Sequence, residues 1–232
     1  KCDLETASAD EIIAAIPAAG IVGLGGAAFP THVKLKPPED KHVHTLILNG
    51  VECEPFLTTD HRVMLEQTAD IFTGIRYLLK ATGAERAIIG VEANKPDAIE
   101  VLRIAIGDDP ALRVAPLEVK YPQGAEKMLI KALFGREVPA GKLPLDLEIV
   151  VNNVGTMTSL TDWFDRGIPL IERVLTVAGP GVGRPANLLV PVGTSIGEVL
   201  RHCGGLEPET REVVLGGPMM GQPLANLDAP VL

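Results

Sequence analysis

Apolar positions along this chain recur in two rhythms, one helical and one continuous, and the two alternate. Ser8-Ala9-Asp10-Glu11 reads as a capping box, with Ser8 and Glu11 exchanging backbone donors. Ile12, Ile13 and Ile16 then form one stripe that Gly20 ends. A glycine-rich loop over 23–38 leads to a buried strand over 44–49. Asp60 is expected to cap one long helix running to about Thr82, closed by Gly83. The alternation continues with strands over 87–91, 112–119 and 147–151 and helices over 95–106, 124–134 and 155–166. Pro96 falls in the first turn of its helix, where a missing N–H is harmless. Strands alternating with helices predict an α/β fold, a mostly parallel sheet with helices on both faces.

The pattern changes after about Pro169. Short strands over 171–177 and 187–192, a helix over 195–203 and the run Val213-Val214-Leu215 are separated by Gly/Pro turns. They predict a small α+β module. The expected division is 1–169, 170–223 and a patternless linker over 224–232.

Composition narrows the functional classes. Thirty acidic against 21 basic residues give a formal charge of −9, which argues against nucleic-acid binding. No apolar run approaches the roughly 20 residues of a membrane-spanning helix, and the first residues show no signal-peptide core. Cys2, Cys53 and Cys203 lie far apart with no C-x-x-C pair, so neither a disulfide framework nor a complete cluster motif is present. That usage points to a reducing compartment. The five histidines show no metal-ligand spacing, His42 and His44 read as surface residues, and Trp163 and Phe164 fit a packed helix.

Four loops carry candidate chemistry. Gly23-Leu24-Gly25-Gly26-Ala27-Ala28 has the letters of a dinucleotide fingerprint but follows a helix and runs into Phe29-Pro30, so the fingerprint's strand–turn–helix context is missing. No Gly-Lys-Ser/Thr makes it a P-loop. Small residues there let backbone amides approach a flat ligand or phosphate, with Lys34 adding charge; the plain alternative is a tight turn and a surface lysine. Asn49 offers both polarities to a heterocycle, and Glu52 and Glu54 could take ribose hydroxyls or amide donors, against a solvated acidic turn. Cys53 has no base beside it and reads as a spectator thiol. Gly124 at a helix start leaves amides for an anion, and Glu126 either serves a ligand or complements the helix dipole. Asn152 and Asn153 could bind phosphate or cap the next helix. Four such loops on one rim predict a mononucleotide or dinucleotide cofactor site.

Gly23–Thr31, Asn49–Pro55, Tyr121–Lys127 and Val151–Thr156 together resemble the flavin and NADH loops of the complex I flavin-subunit superfamily. Glu137-Val138-Pro139-Ala140-Gly141 and Gly216-Gly217-Pro218-Met219-Met220-Gly221 are most similar to the C subunits of Rnf electron-transport complexes. The resemblance implies a Rossmann-like domain for FMN and NADH followed by a β-grasp module of the SLBB type. It implies that Gly23, Gly25, Gly26 and Lys34 hold the flavin, with Asn49, Glu52, Glu54, Gly124, Glu126, Asn152 and Asn153 around it and Phe29 stacking on nicotinamide or adenine. Leu24 replaces the superfamily's arginine, and Ala125-Glu126 its double glutamate, as fits an Rnf-type relative. Also implied are 4Fe-4S clusters outside this span, towards which 224–232 would lead. The implied partners are NADH, ferredoxin and the other Rnf subunits, at the cytoplasmic face of the cell membrane, as a peripheral protein. A cobalamin reductase of the same superfamily, or a non-catalytic assembly module, are the other readings.

Overall fold

The computed structural model describes residues 3–38 and 40–232; Cys2 lies outside them. Four strands, β1 (Thr45–Gly50), β2 (Arg86–Glu92), β3 (Leu112–Leu117) and β4 (Ile149–Asn153), form one sheet in the order β3-β2-β1-β4. Every pairing in it is parallel. The strands read as near-continuous Val/Ile/Leu runs because both faces are covered. Leu46, Leu48 and Val150 join the larger core, and Ile47, Ile149 and Val151 the smaller one on the opposite face.

The larger face is covered by α1 (Ala9–Ala15), α2 (Thr31–Leu35), α3 (Thr59–Glu66), α4 (Thr68–Thr82), α5 (Pro96–Ile106) and α7 (Val154–Thr161). The smaller is covered by α6 (Glu126–Phe134), through Leu129 and Ile130. The Ser8–Glu11 capping box is formed, and Gly20 stops the first helical segment in the left-handed region after a 3-10 turn over Ile16–Ala19. Helices α4 and α7 cross closely enough that a Cβ on Gly74 would sit 2.3 Å from the Met157 carbonyl oxygen. Tyr77 and Phe164 stack at 4.5 Å, with Phe164 buried as its sequence position predicts.

Three local expectations need correction. The 23–38 loop contains α2. The long helix from Asp60 is two helices broken at Gln67, where the Thr68 hydroxyl donates to the Met64 carbonyl (2.6 Å) and competes with the regular ladder. Asp60 is not the cap: Thr58 occupies that position, and Asp60 lies inside the first turn.

After a π-helical turn (Asp162–Arg166) the chain enters the small module. There β5 (Glu172–Val177) and β6 (Ala186–Pro191) pair antiparallel, α8 (Ile196–His202) starts at a Ser195–Glu198 capping box, and β7 (Val214–Leu215) pairs with β8 (Gln222–Pro223). Its core holds Val177, Val190, Val199, Leu200, Cys203 and Val231. The final residues return along α8, with Gly197 N–H donating to Leu227 and Ile196 N–H to Ala229. Among the described residues, no helix is long and apolar enough to cross a membrane.

Candidate functional site

Chain order dictates where a ligand should sit. Strands β2 and β3 add on one side of β1 and β4 on the other, so the order reverses between β1 and β4. Open α/β sheets bind ligands in the crevice beyond the strand carboxyl ends at such a point. Asn49 and Asn153 are register partners there.

The crevice is tied across by its own polar groups. Asn153 caps α7 by accepting from Gly155 N–H (2.8 Å), while its Nδ2 donates to Asp60 Oδ2 (2.7 Å) and the Asn49 carbonyl (3.4 Å). Asn49 Nδ2 donates to the Gly124 carbonyl (2.9 Å), and its Oδ1 accepts from Val51 N–H (3.0 Å). The Asn49 side chain therefore braces two loops. Gly124 fits because any Cβ would lie 2.5 Å from the Val51 carbonyl. The free amide that the sequence predicts at Gly124 is not found: α6 starts two residues later, and Gly124 N–H donates to Cys53 Sγ (3.4 Å).

The glycine loop forms one wall. Val22 and Pro30 bridge its base, Gly23 N–H donates to the Phe29 carbonyl, and Leu24 N–H donates to Thr156 Oγ1. Gly25 lies against Asn153, where a Cβ would be 3.3 Å from that side chain. Residues 25–28 are exposed, and their amides carry no hydrogen bond among the described residues. Phe29 stands half exposed at the end of the loop. From α2, Lys34 Nζ reaches Glu126 Oε1 (2.8 Å) and the Val151 carbonyl (2.6 Å), joining two residues singled out in sequence.

The two acids after β1 face elsewhere. Glu52 accepts from Asp60 N–H (2.9 Å) and His61 N–H (3.3 Å), so this remote carboxylate satisfies the start of α3. Burial raises its pKa against those amide bonds. Asp60 is pushed up to about 7, first by burial and then by the Glu52 charge, against the Asn153 amide and Lys95. Glu54 turns to the small module, accepting from Met219 N–H (2.9 Å). Sequence reading missed the buried pair Glu92–Lys95 (2.7 Å) at the end of β2. Its only signal was an i, i+3 spacing, which is ordinarily a surface pair.

The site can be tested for fit to a flavin mononucleotide by what it leaves unsatisfied. Among the described residues, four buried side-chain atoms lack a partner: Thr31 Oγ1, Glu54 Oε1, Gln123 Oε1 and Asn152 Nδ2. Thr31 starts α2, Gln123 precedes α6 and Asn152 lies in β4, while Glu54 is turned to the small module. Buried polar atoms are rarely left unpaired, so a concentration of both donors and acceptors favours a polar heterocyclic guest. Open amides at 25–28 and the Lys34 ammonium suit its phosphate. The residues present fit the group.

The description "Nuo51 FMN-binding domain" matches residues 16–162, and "SLBB domain" matches residues 174–223. The C subunit of the proton-translocating ferredoxin:NAD(+) oxidoreductase complex of Clostridium ljungdahlii is 49% identical over 97% of this chain. Its Na(+)-translocating counterpart in Acetobacterium woodii is 48% identical over 99%. The chain spans about half the length of these relatives, 49% and 52%. A crystal structure of an NAD+-reducing [NiFe]-hydrogenase in the air-oxidized state superposes with a TM-score of 0.79 at 27% identity, covering 97% of this chain and 44% of its own. With the FMN-binding description matching most of the parallel-sheet domain, the chain belongs to the Nuo51 FMN-binding domain family, as its glycine, Asn-Gly and Asn-Asn loops foretell.

Proposed function

We propose that this chain is the FMN-binding, NADH-linked electron-entry part of the C subunit of an Rnf-type ion-translocating ferredoxin:NAD oxidoreductase. The observation that carries the reading is the crevice at the β1/β4 switch point, walled by open loop amides, with orphaned polar atoms on Thr31, Gln123 and Asn152 in the segments that form its walls. FMN, when bound, exchanges a hydride's electron pair for single electrons, which is what traffic between NAD(H) and ferredoxin requires.

The chain's residues bind and orient. Lys34 has three N–H donors, two of them engaged internally, so one remains for a phosphate oxygen. Glu126 holds that ammonium in place and leaves the site less positive than a free lysine would. The amides of Gly25 to Ala28 add uncharged donors that need no side-chain ordering. Gln123 Oε1 and Asn152 Nδ2 offer an acceptor and a donor to the ring edge. Phe29 presents an aromatic face for a nicotinamide or adenine ring, and its exposure matches a partner that comes and goes. Glu54 and Glu52 act through the loop they stabilise.

In this reading the 4Fe-4S clusters belong to the half of the full-length subunit that this chain does not span. Its partners are the other proteins of the complex, NADH and ferredoxin, and it works as a peripheral protein on the cytoplasmic side of the membrane. Titration of FMN into the purified chain, followed by anaerobic NADH, tests the proposal. Saturable quenching of flavin fluorescence and then loss of the oxidised-flavin absorbance is the expected result. Absence of FMN binding at high micromolar concentration overturns it.

A further inference from the structure

Besides the packing of Val174 against the main core, two sets of hydrogen bonds from the small module converge on one short segment leading from β1 into α3. At the first, Met219 N–H donates to Glu54 Oε2 (2.9 Å). Gly217 makes this possible: a Cβ there would lie 2.3 Å from the Glu54 carboxylate and 2.7 Å from the Glu54 Cβ. At the second, Thr176 Oγ1 accepts from Thr58 N–H (3.1 Å), shares a hydrogen with Thr59 Oγ1 (2.8 Å) and donates to Asn187 Oδ1 (2.7 Å). Asn187 Nδ2 in turn donates to Thr58 Oγ1 (2.9 Å).

Directly beyond this segment lies the crevice itself. The amides of Asp60 and His61, one residue past the second contact, are those that Glu52 accepts from. Asp60 Oδ2 receives Asn153 Nδ2, and Asn153 is the wall on which Gly25 packs. The first turn of α3 therefore cannot shift without moving Asp60 and the Asn153 amide.

We propose that Thr176, Asn187 and the Gly217–Met219 turn are positioning residues for the flavin crevice, acting through residues 54–61, so that seating of the small module and binding of FMN are coupled. This rests on the flavin-binding function proposed for the crevice. Coupling of this kind is reciprocal: whatever the module contributes to flavin affinity, bound flavin returns to the seating of the module.

The test uses Thr176→Val, which removes the hydroxyl at nearly constant volume, and Thr176→Ser, which restores it. Gly217→Ala perturbs the other contact independently. Three readouts are taken: FMN affinity by fluorescence titration, hydrogen exchange of the amides over 58–61, and the melting of Trp163 fluorescence, which reports the main domain. Thr176→Val and Gly217→Ala are expected to raise the FMN dissociation constant about fivefold or more, to speed exchange at Asp60 and His61, and to leave the Trp163 melt in place, while Thr176→Ser resembles wild type. Unchanged exchange overturns the two-point contact. Faster exchange with unchanged FMN affinity overturns the positioning role, and so does loss of affinity that Thr176→Ser fails to rescue. A wild-type chain that takes no FMN removes the proposed function and the flavin half of this inference, and the exchange data still decide the contact.

Discussion

Lys34 has three donors and uses two of them inside the protein, on Glu126 and on the Val151 carbonyl. Its position is therefore fixed before any ligand arrives. Lys34→Ala is expected to weaken FMN binding by about 1–3 kcal/mol, the cost of one charge-assisted contact. Isothermal titration of the variant checks this, and an unchanged dissociation constant removes Lys34 from the phosphate site. The residue types at the rim were legible in the sequence, whereas their partners were not. Asn49 and Asn153 announce a polar strand end, but nothing local says that one braces Gly124 and the other donates to Asp60. Glu52 and Glu54 are two residues apart and serve different elements, one the start of α3 and the other the small module. Those assignments depend on chain segments 8 and 165 residues away, beyond the reach of any local pattern.

At the scale of elements, the hydrophobic rhythm carried most of the fold. Strand positions, the parallel sheet and the Ser8–Glu11 capping box follow from period and caps. The break at Gln67 did not, because apolar spacing runs on through it and the competing Thr68 hydroxyl is a single side-chain choice. Packing between helices was equally silent. Gly74 looks like a weak point in α4, where alanine would gain about 1 kcal/mol of helix propensity. The Met157 carbonyl lies 2.3 Å from where that Cβ would go, and overpacking of this kind costs about 1–3 kcal/mol. Contact with rigid backbone at that distance puts the cost at the upper end of the range, so Gly74→Ala should be destabilising by about 2 kcal/mol net. A urea midpoint at or above that of wild type would show that α4 and α7 can separate without loss.

For the whole molecule, stability should depend on pH in a direction set by the acids beneath the crevice. Asp60 holds its proton up to about 7, against an ordinary value of 3.8, and Glu52 is displaced the same way. Between those limits the folded chain binds more protons than the unfolded chain, so stability falls as pH rises through about 4 to 7. The Asp60 contribution is on the order of 2–4 kcal/mol. Exposed carboxylates held by amides, such as Glu11 and Asp146, act oppositely and only at lower pH. The melting temperature is expected to drop between pH 5 and pH 8, and Asp60→Asn should flatten that slope; a slope equally steep in the variant would assign it elsewhere.

The reversal of strand order at β1 also has a consequence in time. The crevice needs Asn49 and Asn153 side by side, yet 104 residues separate them. At about 5–20 residues per second of synthesis, Asn153 follows Asn49 by ~5–20 s. During that interval β1, β2 and β3 can pair, but the outer edge of β1 has no neighbour and the glycine loop has no Asn153 to lie against. A nascent chain thus carries a bare parallel edge, open to other chains, until β4 arrives. On the proposed function, flavin capture is accordingly a late event that waits for the last strand of the sheet.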